Sequence, residues 1–491
     1  MSTVALFSDP QTASALLPEF TLIVGIVLMI LVPNLGKGTF RVPIPNTNIR
    51  IPYLLGGDRF TFTSSPRIPG TISVFTLLFS TSLALWSQME TPISGSNVWC
   101  ISTAGEAFAS CAGMVDPSIF QIDGFSRLLE IVFYGSLMLC AIAMWSRMPA
   151  TPRFMIHAQV LAGRREDERI QKLLDNRRQV DFHLLLLMVA LGMSVVALAS
   201  DVFVLFIGLE LASLSSYVLI AFMKENEEAP EAGMKYFILG SVASAVGLYG
   251  ISLLYLWNGN LQMSDLAASW QAMDGIDPMA LTGIAFLMVT IGFKVSAAPF
   301  HLATPDAYTG AASPVAGVLA TGSKAMGFVV LLRVLVTITM PESGEAFWVP
   351  IVGLLAAITM TWGNLGALSS NNPKRMLAYS SVAHAGYLLA AVAALGLNQA
   401  RAGDHVISEL IVAAILFHLT VLVLFKLGAF LVLSMLESEG KGSKLEDLYG
   451  LAKREPLLAT ALFVFMLALA GVPPLAGFLS KLLLVSGIVD A

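Results

Sequence analysis

A set of ionisable side chains lies in stretches of this sequence that are otherwise apolar. Glu210 sits in the middle of DVFVLFIGLELASLSSYVLIAFMK, far from Asp201 and Lys224 at its ends. Lys294 sits in GIAFLMVTIGFKVSAAPFHLATPDAY, followed by Pro299 and His301, and Lys324 in VLATGSKAMGFVVLLRVL, ahead of Arg333. His384 falls in YSSVAHAGY, His418 and Lys426 in ILFHLTVLVLFKLGAF, and Lys481 in LALAGVPPLAGFLSKLLLVSG. Lys235 stands at the start of a further apolar run. Ionisable groups inside a bilayer are costly, and they mark ion pathways or polar pairs. Desolvation eases loss of a proton from an amine, and a nearby carboxylate opposes it. A carboxylate–lysine pair whose spacing or protonation changes can therefore load and release a proton. Glu210 with Lys294 forms such a switch, with Lys324, His384 and Lys481 extending it and His301, His418, Lys426 and Lys235 as further members. The plainer readings are a structural Glu210, a Lys294 or Lys235 that snorkels to the interface, a structural Arg333, and histidines that are satisfied hydrogen-bonding groups.

Moving a unit charge against 100 mV costs about 2.3 kcal/mol, so a proton relay needs an energy source. The sequence holds none. It has no P-loop, no glycine fingerprint after a strand and no haem motif. Its three cysteines, Cys100, Cys111 and Cys140, form no iron–sulfur or zinc spacing. No cofactor and no metal are expected in this chain, and its energy must come from a partner or an ion gradient. Cys140 reads as a buried small residue. Cys100 and Cys111 share one loop, which would permit a disulfide if it is extracytoplasmic.

The elements that must position these residues are membrane helices. Of 491 residues, 56% are hydrophobic and 12% charged, the latter about half the fraction of a soluble protein. Apolar runs predict about twelve spans, near 16–33, 69–87, 125–146, 182–200, 202–222, 233–257, 279–303, 312–339, 347–369, 375–397, 407–435 and 457–487. No Lys or Arg precedes Lys37, so the first run lacks the basic flank of a signal peptide and reads as a retained helix. With the N-terminus outside, the inward loops take Lys37, Arg41, Arg50, Arg59 and Arg67, the cluster from Arg147 to Arg178, then Lys224, Lys374, Arg375, Lys441, Lys444, Lys453 and Arg454. The outward side keeps only Arg127, at a helix start, and Arg401. That bias fixes the orientation.

The loop 37–68, rich in Pro, Gly and Thr, reads as irregular chain. Stretch 148–181 contains GRREDERIQKLLDNRRQ, an exposed amphipathic inner-side helix that serves as a solvated spacer or docks a partner or anionic lipid. Pro299 in span seven predicts a broken helix, as do Gly471, Pro473, Pro474 and Gly477 in span twelve. Membranes tolerate broken helices where they line protein or water, and transporters use them for ion sites. Two broken spans, five apart and each with a lysine, predict an inverted five-helix repeat. The organisation expected is helices one to three with long loops (1–150), the charged inner loop (151–181), a first repeat of helices four to eight (182–340) and a second of helices nine to twelve (341–491), incomplete at the C-terminus.

The motifs GLELASLSSYVL, EAGMKYFILGSVASAVGLYGISLLY, GFKVSAAPFHLATPDAYTGAASPV, TGSKA, GNLGAL, NNPKRMLAYSSVAHAGYLL and LALAGVPPLAGFLSK, over residues 120–485, resemble the antiporter-like membrane subunits of respiratory complex I, subunit N above all. The resemblance implies that Glu210 pairs with Lys294 and that Lys324 and Lys481 relay protons. A lysine rather than a glutamate at position 481 favours subunit N over subunit M. It implies a proton-translocating, non-redox subunit of an NADH:quinone oxidoreductase, with quinone, FMN and iron–sulfur clusters in partner subunits. Expected partners are the neighbouring antiporter-like subunit, small helical membrane-arm subunits and lipids, with no nucleic acid. Expected localisation is an energy-transducing membrane, bacterial inner or mitochondrial inner. The family usually has fourteen spans, two more than are read here. Two alternatives remain: a subunit of a multi-subunit Na⁺/H⁺ antiporter, and a structural membrane subunit with vestigial charges.

Overall fold

The computed structural model describes residues 15–32, 35–41, 50–54, 67–90, 96–100, 118–145, 165–224, 226–273, 275, 277–341, 346–400 and 405–491. Its helices are α1 (Leu17–Leu31), α2 (Ile68–Glu90), α3 (Gly124–Ala143), α4 (Arg165–Leu198), α5 (Val202–Ile220), α6 (Glu228–Asn258), the short α7 (Met263–Gln271) and α8 (Pro278–Val295). They continue with α9 (Thr304–Gly310), α10 (Ser313–Ile338), α11 (Val349–Leu368), α12 (Pro373–Ala400), α13 (His405–Ser438), α14 (Pro456–Ala470) and α15 (Ala476–Asp490). Ten helical stretches among the described residues are long and apolar enough to cross a membrane, and α1 and α14 are shorter apolar helices. All twelve expected spans are present as helices, and the protein is an all-α integral membrane protein. In lipid every backbone polar group must be bonded internally, which helices achieve within one segment.

Helix starts are set by side chains that accept the free N–H groups of the first turn. Asp123 takes the Ser126 N–H at 2.7 Å while Ser126 Oγ accepts the Asp123 N–H at 2.9 Å, opening α3. Asp201 receives Phe203 and Val204 at 2.8 and 3.0 Å at the start of α5, and Asp277 receives Met279 at 2.7 Å at the start of α8. Small residues then let helix backbones approach. A methyl on Gly192 of α4 would lie 2.5 Å from the Ala212 nitrogen and 2.7 Å from the Gly208 carbonyl oxygen of α5.

Two expectations are corrected. The charged stretch before span four is not a separate helix, because α4 runs unbroken from Arg165. No Gly or Pro lies between Arg165 and Phe182 to stop it. The long loops are not wholly irregular either. β1 (Leu35–Arg41) pairs antiparallel with β2 (Arg50–Leu54), and β3 (Ser96–Cys100) with β4 (Ser118–Ile122). The side chains of Cys100 and Cys111 lie outside the described residues. Cys140 is buried with a free thiol.

Helix α10 is the axis of the bundle. Its membrane window is wholly buried, whereas that of α11 is only 22% buried and faces outward. At one end Lys374 of α12 donates to Glu437 of α13 at 2.8 Å, and the Ser313 N–H of α10 donates to the other Glu437 oxygen at 3.2 Å. This clamp ties three helices together.

Candidate functional site

Both expected breaks are present, and each creates a place for a cation. Helix α8 stops at Ser296, which takes the left-handed conformation at φ 60°. A 3₁₀ turn, Phe300–Ala303, follows Pro299 before α9 begins. The freed Ala298 N–H is satisfied by Thr359 Oγ1 of α11 at 3.0 Å. Lys294 lies in the last turn of α8, where the helix dipole favours positive charge. Helix α14 stops at Gly471, at φ 84°, and α15 resumes at Ala476. Lys481 Nζ reaches back to the Leu469 and Ala470 carbonyls at 2.8 and 3.2 Å, two oxygens left at the end of α14. Each break thus supplies a helix C-terminus for a lysine.

Around Lys294 the neighbours are hydroxyls. Its ammonium donates to Ser213 Oγ and, at 3.3 Å, to Tyr217 OH, and it lies 5.1 Å from the Tyr217 ring centre. Glu210 is one turn before Ser213 on α5, and it accepts Ser244 Oγ of α6 at 2.6 Å. Glu210 and Lys294 therefore share a site without touching. The pair expected from the resemblance is not a direct ion pair here: the amine is held by Ser213 and Tyr217, and the carboxylate by Ser244.

Lys324, 1% exposed, follows a π-helical stretch, Leu319–Ser323, and donates to the Ser381 carbonyl of α12 at 2.8 Å. Such widened turns recur at functional sites. A methyl on Gly327 would meet Lys294 Cβ at 3.2 Å, so α8 and α10 abut one turn from Lys324. The broken segment adds hydroxyls beside this junction: Thr304 Oγ1 donates to Ser296 Oγ at 3.0 Å, and Tyr308 OH donates to the Leu319 carbonyl at 2.9 Å.

Beyond Ser381 the row continues along one face of α12. His384 Nδ1 lies 3.0 Å from His418 Nε2 of α13, with the rings stacked, and His418 Nδ1 lies 3.0 Å from Ser480 Oγ. Ser480 donates onward to the Gly477 carbonyl at 3.0 Å. With that proton so placed, His418 donates to Ser480 and His384 donates to His418, so neutral imidazoles satisfy every link in one direction. Lys481 is the next residue, 5.5 Å from the Tyr387 ring centre. Lys426 is fully buried near this end, and its amine has no hydrogen-bond partner among the described residues.

The structure thus brings Glu210, Lys294, Lys324, His384, His418, Lys426 and Lys481 into one layer across the bundle. His301 lies in the break with its ring against Trp362, and its Nδ1 has no partner among the described residues. Lys235 does not join the layer. Its side chain is 48% exposed and pairs with Glu231 at 2.7 Å and Asp306 at 3.3 Å. Arg333 donates to the Ala197 carbonyl at 2.5 Å.

Sequence reasoning missed the hydroxyl connectors Ser213, Tyr217, Ser244 and Ser480, and a second charged cluster. Arg127, counted as an outer-loop charge, is fully buried and pairs with Glu130 and, at 3.4 Å, with Glu19. The available signal was Arg127 and Glu130 three apart in an apolar helix.

Residues 199–491 match the family model described as NADH:quinone oxidoreductase/Mrp antiporter, transmembrane. NADH-quinone oxidoreductase subunit N of Heliobacterium modesticaldum is 41% identical over 316 residues, covering 64% of this chain and 63% of that protein. The subunit N of Sphingopyxis alaskensis is 36% identical over 384 residues, covering 77% and 72%. The chain thus spans less than two thirds of the length of the Heliobacterium relative. A chain of respiratory complex I from Thermus thermophilus superposes with a TM-score of 0.65 at 28% identity, over 96% of this chain and 82% of that one. A chain of the Mrp complex from Dietzia shares the fold alone, with a TM-score of 0.71 at 21% identity over 98% and 74%. The chain belongs to the membrane-spanning NADH:quinone oxidoreductase/Mrp antiporter family, within its NADH-quinone oxidoreductase subunit N members.

Proposed function

We propose that this chain is a proton-translocating, non-redox subunit in the membrane arm of a complex I-type NADH:quinone oxidoreductase. The observation that carries this reading is the row from Glu210 and Lys294 through Lys324, His384 and His418 to Lys481, buried from Lys294 to His418 and half-buried at its two ends. Three lysines in this row, and Lys426 beside it, are costly to place in a low-dielectric bundle, and such costs mark functional pathways. Their partners are mostly hydroxyls and backbone carbonyls, which hold an ammonium without neutralising it. In this reading Glu210 and Lys294 form the switch, and protons pass to Lys324 beside the hydroxyls of the α8–α9 break. From there the imidazole pair conducts toward Lys481, and a proton entering at one ring is released at the other. Lys426 and His301 are lower-ranked members, and Lys235 is a surface ion pair. Quinone reduction in partner subunits, which hold the redox cofactors, supplies the energy. The partners are the neighbouring antiporter-like subunit and small helical subunits, in a bacterial inner membrane with the N-terminus outside. The two broken helices belong to inverted repeats, one over residues 182–340 and the other over 341–491.

The test is Lys294→Ala and Glu210→Ala in the intact complex. Proton pumping and coupled quinone reduction should fall while assembly is unchanged, and full coupled activity in both variants would refute the reading. The family likeness to Mrp chains supports a second reading, a subunit of a Na⁺/H⁺ antiporter. Na⁺-dependent proton exchange without NADH would favour it.

A further inference from the structure

We propose that Glu19 and Glu130 together bind one proton, carried on Glu19, in a buried site among α1, α3 and α4 that is separate from the lysine–histidine row. Hydrogen counting carries the argument. Ser194 Oγ of α4 lies 2.9 Å from Glu19 Oε1 and 2.7 Å from Glu130 Oε1. A serine hydroxyl has one hydrogen, so it donates to only one carboxyl oxygen. The other contact is a hydrogen bond only if that carboxyl is an acid donating to Ser194.

The two carboxyls are not equally supplied with donors. Glu130 receives the Arg127 guanidinium on Oε2, and Ser194 and, at 3.5 Å, Tyr134 OH on Oε1. Of the N–H and O–H donors among the described residues, Glu19 has only a long 3.4 Å contact from Arg127 besides Ser194. Its Oε2 is buried with no donor among them, while the two carboxyls also interact with each other. An ionised carboxylate with one oxygen bare is a costly thing to bury, whereas the carbonyl oxygen of a neutral acid costs much less. The donor set therefore makes Glu130 the anion and Glu19 the acid.

Charge counting agrees. The guanidinium of Arg127 also donates to Ser87 Oγ at 3.0 Å and to the Ala15 carbonyl, neither of them an anion. Two carboxylates against one guanidinium would leave an uncompensated negative charge where Glu130 and Arg127 are fully buried and Glu19 is 7% exposed. One proton makes the cluster neutral. The charged group paired with it is Arg127 on α3, flanked by the Tyr134 phenol; Arg333 of α10 bonds the Ala197 carbonyl one turn beyond Ser194. Arg333 is held by a backbone carbonyl there and is not paired with either carboxyl.

The experiment is infrared spectroscopy of the full chain in its purified complex at neutral pH, as wild-type-minus-variant differences. Glu19→Gln is expected to fold, because glutamine imitates a neutral acid, and to remove one carboxylic-acid C=O band. Glu130→Gln should remove the same band, since Glu19 then becomes the single anion for Arg127. Ser194→Ala should keep the band at full intensity but shift its frequency, because the acid loses its acceptor. Absence of any acid band in all three differences overturns the proposal, as does loss of two bands in a Glu19→Gln/Glu130→Gln double variant. A Glu19→Gln protein that fails to assemble leaves Ser194→Ala to decide, and an unshifted band there counts against it.

Discussion

Gly240 of α6 is the position where one methyl group should uncouple the Lys294 site. A Cβ there would fall on the Tyr217 hydroxyl, 2.7 Å from the ring carbon that bears it and 3.1 Å from a Phe293 ring carbon. Neither ring has open space behind it: Tyr217 packs edge-on against Tyr236, and Phe293 against the same Tyr236. In Gly240→Ala, Tyr217 must therefore move, and its 3.3 Å contact with Lys294 is lost. A hydrogen bond to a charged group contributes about 1.5–3 kcal/mol. If that contact holds during proton transfer, its loss slows the step about 10- to 100-fold. The assay is substrate-driven proton uptake by inverted membrane vesicles, with subunit abundance measured in parallel. Gly247→Ala is the control, because its methyl would crowd Thr290 in the same α6–α8 interface without reaching Lys294. Overpacking should cost either variant about 1–3 kcal/mol of stability, but only Gly240→Ala should lose pumping. Equal losses in both, or wild-type pumping in Gly240→Ala, would refute the reasoning.

Other outcomes follow from the same geometry. Ser480→Ala leaves His418 Nδ1 without its 3.0 Å partner, so thermal stability should fall by about 1–3 kcal/mol and pumping should fall with it; a silent variant would remove Ser480 from the row. Gly477→Ala drives a methyl into the Ala468 carbonyl, so unfolding in chaotrope should be eased by about 3 kcal/mol or more. Lys235→Ala removes an exposed pair, and pumping should stay within about twofold of wild type. Outside the spans, the Lys444 and then the Gly442 backbone N–H hold the Asp447 carboxyl below the usual carboxylate range, against a smaller opposing effect of burial. A carboxyl lowered in the folded state stabilises the turn above its ordinary range and loses that contribution as pH falls through the lowered value. Limited proteolysis of the 440–450 turn should therefore quicken on acidification, and Asp447→Asn should flatten that dependence.

The sequence reveals this fold through its costs. Apolar runs must be helices in lipid, so span positions followed directly, and Pro299 and the Pro473–Pro474 pair forecast the breaks because proline lacks the N–H a helix needs. The lysines stood out for the same reason, since charge in an apolar run demands explanation. Ser213, Tyr217 and Ser480 did not, because a hydroxyl in a helix can bond its own backbone and looks like packing. Which hydroxyl meets which amine depends on helix rotation and crossing, and no single-helix pattern encodes that. Arg127 was misplaced by a rule that treats a charge near a helix start as solvated. Partners that bury it, Glu19 and Ser87, lie on other helices. The helicity of the charged stretch was legible, but its continuity with span four was not, since hydropathy breaks where the charges begin while a stretch free of Gly and Pro stays helical by propensity.

The central claim is that protons cross the bundle through the buried amines, and Lys324, 1% exposed on the buried helix α10, is the residue that tests it. Lys324→Met keeps an unbranched apolar stem and removes the amine, with its charge, its exchangeable protons and its bond to the Ser381 carbonyl. Proton uptake by vesicles containing the assembled variant complex should drop to the background of uncoupled membranes. Uptake at the wild-type ratio to electron transfer would contradict it.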